Sequence, residues 1–222
     1  MSLVYLVDGS NQAFRAFHAM QADLRAPDGF PTRALHGFIN ILHSLVNKNK
    51  PDYVLVVFDM GKSFRVDLDP NYKGHRPEIP EDLKLQWPEL APLCQAFGLQ
   101  TFAEDCGFEA DDIIGTLAVK YAGEGHDVRI FSNDKDFAQL VNDKIYLYHP
   151  QKKIELGPKE IEEKWGVPPS KVIDILSLTG DKSDNVIGIN GVGDKKAAQY
   201  VNKYGGWKEV LENADTIGGK TG

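Results

Sequence analysis

Short apolar runs that end in an acid recur along the first two thirds of the chain. Leu3 to Val7 runs into Asp8-Gly9-Ser10-Asn11, Tyr53 to Phe58 runs into Asp59, and Val128 to Ser132 is followed by Asn133 and Asp134. Each reads as a buried strand closed by a turn that can cap a helix. Between them the apolar positions change period. Leu35, Phe38, Ile39, Leu42, Leu45 and Val46 recur at helical spacing between Thr32 and Lys48, and Pro51 closes the element. Further helices are predicted after Asp8, carrying Phe14, Arg15 and His18, and over 81–97, 110–122 and 134–140, with a short strand over 100–103. Strand and helix alternate, which predicts an α/β fold with a mostly parallel central sheet flanked by helices. After a strand-like stretch over 145–156 the pattern turns to helices only, over 158–165, 168–179, 194–204 and 207–213. The expected division is a core over 1–156 and a helical unit over 157–222. From Gly61 to Pro80 no period survives, and the segment reads as a mobile, solvated excursion.

Composition narrows the classes. The 222 residues are 42% hydrophobic and 26% charged, enough for one core with an appended unit. No apolar run approaches the roughly 18 residues of a membrane span, and the start has no basic n-region or cleavage site. Cys94 and Cys106 make neither a disulfide framework nor a zinc site, so they are expected to be reduced thiols of a cytoplasmic protein. The net charge of −7 argues against a nucleic-acid partner only if the acids are spread evenly. Nine of them are not: setting aside Asp8, Asp59, Glu109, Asp111, Asp112, Asp134, Asp136, Asp181 and Asp184 turns −7 into +2.

Those nine acids carry the candidate chemistry. In an open α/β sheet the ligand crevice lies at the carboxyl ends of the strands, where Asp8, Asp59, Asp134 and Asp136 are expected to converge. Glu109 and Asp112 can share a face at a helix start, with Asp111 beside them, and Asp181 and Asp184 repeat that spacing. Singly, each has a plain alternative as a turn residue or helix cap. Together they come from separate segments to one edge, which capping does not require. Acids so gathered repel unless cations sit among them, and Mg2+, a hard ion that uses few carboxylates and keeps several waters, suits phosphate chemistry. Two further features qualify the picture. Asn71-Tyr72-Lys73-Gly74-His75-Arg76-Pro77 could hold a phosphodiester and stack a base, or be a solvated loop. Gly188-Ile189-Asn190-Gly191-Val192-Gly193 opens a helix followed by Lys195 and Lys196, and could grip phosphate or simply connect two helices. A Gly-Lys-Thr scrap at 219–221 lacks the rest of a phosphate loop and is set aside.

Taken in order, Val7-Asp8-Gly9-Ser10-Asn11, Phe58-Asp59, Tyr72 to Arg76, Gly107 to Gly115, Ser132 to Asp136, Gly180 to Asn185 and Gly188 to Gly193 resemble the 5′-nuclease superfamily of flap endonucleases. The resemblance covers nearly the whole chain and is strongest to the 5′-3′ exonuclease domain that opens bacterial DNA polymerase I. It implies hydrolysis of a DNA phosphodiester near a single-strand/duplex junction, in replication and repair, with two divalent ions, Mg2+ or Mn2+. One ion would be held by Asp8, Asp59, Glu109 and Asp111, the other by Asp134, Asp136, Asp181 and Asp184, with Asp112 nearby. Residues 61–85 would form an arch for the 5′ strand, in which Lys73 and Arg76 polarise the scissile phosphate and Tyr72 stacks on a base. Phe14 and Arg15 would lie beside unpaired DNA. Gly188, Ile189, Gly191 and Gly193 would form a turn that holds K+ and, with Lys195 and Lys196, grips the duplex. The implied setting is the bacterial cytoplasm at the nucleoid, as a monomer that binds branched or 5′-flap DNA, with further helices and a polymerase domain following in the native chain. The competing readings are a PIN-type ribonuclease and a branched-DNA binding module that has lost catalysis; a small-molecule phosphatase would need neither the arch nor the duplex grip.

Overall fold

The computed structural model describes residues 1–150 and 152–217, so the Gly-Lys-Thr scrap lies outside them. Strand β1 (Leu3–Asp8) leads into α1 (Gly9–Ala19) and α2 (Arg33–Asn49), then β2 (Tyr53–Val57). A short α3 (Arg65–Leu68) precedes α4 (Glu81–Ala96), β3 (Gln100–Phe102), α5 (Ala110–Gly123) and β4 (Asp127–Phe131). A hairpin of β5 (Ile145–His149) and β6 (Ile154–Leu156) follows, then α6 (Pro158–Trp165) and α7 (Val172–Thr179). The ribbon β7 (Gly180–Asp181) and β8 (Val186–Ile187) precedes α8 (Asp194–Tyr204) and α9 (Trp207–Glu212).

The six-stranded sheet has the order β3-β2-β1-β4-β5-β6, parallel except for β6. Strand alternation sends successive side chains to opposite faces. Val4 and Leu6 join Val128, Ile130, Ile145 and Leu147 beneath α5 and the C-terminal helices. Tyr5 and Val7 join Val56, Phe58 and Phe131 beneath α1, α2 and α4. Both faces are therefore buried, which is why the central strands read as unbroken apolar runs.

Four expectations are corrected. The helix expected over 134–140 is a 3-10 turn, Asp136–Leu140, because Asp134 Oδ1 accepts the Asp136 N–H (2.8 Å) and starts a tighter turn. The stretch 145–156 is a hairpin rather than one strand. The C-terminal unit is not helical throughout, since the β7–β8 ribbon separates α7 from α8. The excursion over 61–80 is not loose: α3 and a series of turns lay it down across the acids, as described next.

Candidate active site

The strand order reverses between β1 and β4, so their carboxyl ends open a crevice at the switch point. Asp8 is the last residue of β1 and caps α1, accepting the Asn11 N–H at 2.9 Å through Oδ1. Its Oδ2 accepts from the Ser132 hydroxyl (2.9 Å) across the switch point, and Ser132 Oγ in turn accepts the Asp134 N–H (3.1 Å). Asp59, just past β2, offers Oδ1 to the Ala110 N–H that opens α5 (2.8 Å), while its own N–H reaches Ser10 Oγ (2.7 Å). Each of these acids thus spends an oxygen on a cap or turn and still belongs to one cluster.

That inner cluster has little counter-charge, Lys73 and Lys135 acting on Asp111 and Asp136 only through space. Asp8, Asp59, Asp111, Asp134 and Asp136 form no ion pair among the described residues. Burial first, then the charges of Asp59 and Asp134, push Asp8 up to about 7. Burial, then Asp8, Asp134 and Asp59, push Asp111 up to about 8. Asp136 rises to about 6 through burial and the neighbouring Asp134 and Asp181, and its Oδ1 is buried without a hydrogen-bond partner. Asp134 links the two halves, one running through Asp8, Asp59 and Asp111 and the other through Asp136, Asp181 and Asp184.

The outer acids are paired with cations. Lys73 Nζ lies 2.9 Å from Glu109 Oε1 and 3.9 Å from Asp184. The Tyr72 hydroxyl sits 2.9 Å from both Glu109 Oε2 and Asp184 Oδ2, able to donate to one at a time. Arg76 contacts Asp184 (2.6 Å) and the Ser183 carbonyl, and Lys73 N–H bonds the Asp184 carbonyl. The segment expected to be solvated is therefore clamped over the crevice. Arg65 grips Asp112 with two bonds of 2.7 Å and reaches Glu109 at 3.5 Å, holding Asp112 well below the usual carboxylate range. Asp112 Oδ2 also accepts the Glu109 N–H (3.0 Å) as part of a helix cap. Asp181 is pushed up by burial, but bonds from Ser183 and Lys135 (3.0 Å) outweigh this and lower it.

Hard oxygen donors with little counter-charge, three acids raised to between about 6 and 8 and one orphaned carboxylate oxygen suit divalent cations. Among the described residues no three acid, His or Cys side chains are grouped closely enough to hold one ion directly.

The DNA-facing candidates lie elsewhere. Phe14 is exposed on α1 and packs on His18, and Arg15 is half-buried with Nε unpartnered. The Gly188 to Gly193 turn closes through an Ile189 N–H bond to the Leu178 carbonyl, with Gly191 at φ +78° and Gly193 capping α8. Lys195 is exposed there and Lys196 lies near the Tyr200 ring. The residue pattern did not single out Arg65, Lys135, Ser10 or Ser132, although Arg65 stood in the same basic segment as Lys73.

A doubly wound α/β domain with acids at its switch point and a helical unit behind it matches known domains. The family model of the 5′-3′ exonuclease N-terminal, resolvase-like domain matches residues 3–166, and that of the 5′-3′ exonuclease C-terminal SAM fold matches residues 167–222. The chain belongs to the 5′-3′ exonuclease family. It is 42% identical over 222 residues to DNA polymerase I of Rhizobium leguminosarum, covering 96% of this chain but 22% of that protein. It is 40% identical over 214 residues to the 5′-3′ exonuclease of Aquifex aeolicus, covering 96% of this chain and 73% of that one. Among solved structures it resembles T5 5′-exonuclease with bound zinc ions (TM-score 0.79, 24% identity, 98% of this chain and 81% of that one). It also resembles the catalytic core of Rad2 in complex with DNA substrate (TM-score 0.66, 20% identity, 96% and 64%). At these identities the structural likeness is one of fold. No helix among the described residues is long and apolar enough to cross a membrane.

Proposed function

We propose that this chain is a metal-dependent 5′-nuclease that hydrolyses a DNA phosphodiester near a single-strand/duplex junction. The observation that carries the reading is the inner cluster: five carboxylates from four segments, mutually repelling and in no ion pair among the described residues, at the carboxyl edge of the sheet. The names of the relatives agree with it.

Asp8, Asp59, Glu109 and Asp111 would hold one divalent ion, and Asp134, Asp136, Asp181 and Asp184 the second; Mg2+ or Mn2+ fits these donors. When bound, such a pair supplies an activated water near neutral pH and stabilisation of the attacking and leaving oxygens. The protein's own groups do the rest. Lys73 and Arg76 already stand at the crevice, and a phosphate there would draw them from Glu109 and Asp184 onto its oxygens. Asp112, engaged by Arg65, fixes the start of α5 and so aims Glu109 and Asp111 inward. Phe14, Arg15 and Tyr72 would flank the unpaired strand. The Gly188 to Gly193 turn, with Lys195 and Lys196, would hold duplex backbone and a K+ ion. Contacts to backbone carry little sequence information, so branch shape is what this site would read. The proposed setting is bacterial replication and repair at the nucleoid, as a monomer alongside a polymerase domain. The core over 1–156 would then supply the chemistry and 157–222 the duplex grip.

A 5′-flap duplex with Mg2+, with and without chelator, beside an RNA hairpin and a phosphomonoester, tests the reading. Cleavage of the flap alone, abolished by chelator, is expected. Turnover of the phosphomonoester with the flap left intact would overturn it. Within the same assay, Lys73→Ala is expected to slow turnover far more than it weakens flap binding in Ca2+.

A further inference from the structure

Between α3 and the start of α5 two aromatic rings stand at the surface. Phe64 and Phe108 lie 5.6 Å apart at 62°, and remain 39% and 53% exposed. Neither joins a buried core. An N–H bond from Phe64 to the Gly107 carbonyl (2.9 Å) holds the two segments together. The Arg65 guanidinium lies 4.8 Å from the Phe64 ring while anchored on Asp112. Phe108 directly precedes Glu109, so the pair stands beside the acid crevice. Tyr72, the aromatic expected to stack on a base, has its hydroxyl engaged by Glu109 and Asp184 instead.

We propose that the Phe64–Phe108 pair is a stacking site for an unpaired nucleobase of the 5′ strand. It rests on the nuclease reading and adds to it a base-contacting subsite. Three features select this occupant. Every base offers a π face, and stacking on an exposed ring tolerates any sequence, as a shape-reading enzyme requires. A guanidinium pinned against one ring, and held there by Asp112, stiffens the platform. Lys73, paired with the Glu109 that follows Phe108, is a group suited to the strand's phosphates.

Binding of a 5′-flap duplex in Ca2+ is measured for flaps that are intact or carry one abasic site at successive positions. Phe108→Leu, which keeps apolar bulk but removes the ring, is expected to weaken binding of the intact flap about ten-fold, or ~1.4 kcal/mol. At one position the abasic flap should cost wild-type protein the same factor, and the two changes together no more than either alone. Phe108→Tyr should bind as wild type does. If Phe108→Leu does not fold, Phe64→Leu replaces it, and a flap with 5-iodouridine at that position should photocrosslink wild-type protein at Phe64 or Phe108. Equal losses on intact and abasic flaps at every position, no loss at all, or a crosslink elsewhere would overturn the stacking site alone. A wild-type protein that binds no flap would overturn the nuclease reading with it.

Discussion

Asp8 and Asp111 are acids that the fold disfavours in their charged form. Asp111 titrates near 8 in the folded chain against 3.8 for an ordinary aspartate, through burial and the charges of Asp8, Asp134 and Asp59. A raised folded value means that the stability linked to the group is complete below about pH 4 and is lost as pH rises through about 8. In chelator, Asp111→Asn is therefore expected to raise the thermal midpoint at pH 8 and to leave it nearly unchanged at pH 4, while cleavage with Mg2+ is lost. A midpoint that does not rise at pH 8 would remove the charge-repulsion account. The sequence showed Asp8 because it follows an apolar run and Asp111 because it stands among acids at a helix start, but it posed cap and ligand as alternatives. In the structure capping does not disperse them: Asp8 Oδ1 caps α1 and Asp59 Oδ1 accepts the first N–H of α5, within one repelling cluster. Arg65 was not legible as their neighbour, since its contact with Asp112 spans 47 residues and no local period reports it.

Elements followed the sequence wherever local pattern and burial agree. The apolar stripe of α2 and the alternating faces of β1 and β4 are set by residues a few positions apart. The N-terminus of α2 shows what such patterns miss. Thr32 makes no side-chain cap bond, and fully buried Gln86 on α4 supplies one from afar, with Oε1 accepting the Ala34 and Leu35 N–H groups at 2.8 and 3.2 Å. Gln86→Leu leaves those donors buried and unpaired, and is expected to cost about 1–3 kcal/mol in urea unfolding. The ratio of flap cleavage to flap binding should stay unchanged, because Gln86 lies outside the crevice. The β7–β8 ribbon was likewise hidden, being two residues long on each side. It depends on Gly180, at φ +67°, and on Gly188, where a Cβ would overlap the Thr179 carbonyl. Gly188→Ala should cost about 1–3 kcal/mol through that overlap. It should also slow cleavage beyond the loss of folded protein, because the ribbon flanks Asp181 and Asp184. Unchanged turnover per folded molecule would separate the ribbon from the site.

At the scale of the whole molecule, the arrangement of charge matters more than its sum. The chain carries −7 overall, yet the acids concentrate at one crevice and Lys195 and Lys196 project from the opening turn of α8. A polyanion would be held along such cations while the crevice itself is neutralised by divalent ions, so affinity should fall steeply with salt. Each phosphate contact contributes about −0.9 to the slope of log affinity against log salt on duplex DNA. Replacing Lys195 and Lys196 together by Ala should therefore make the slope for a 5′-flap duplex in Ca2+ shallower by roughly two contacts. The cleavage rate of bound flap should stay near that of wild type, because both cations stand on α8, outside the segments that carry the nine acids. An unchanged slope would mean that the glycine turn only joins two helices, and that the duplex arm is gripped elsewhere on the protein.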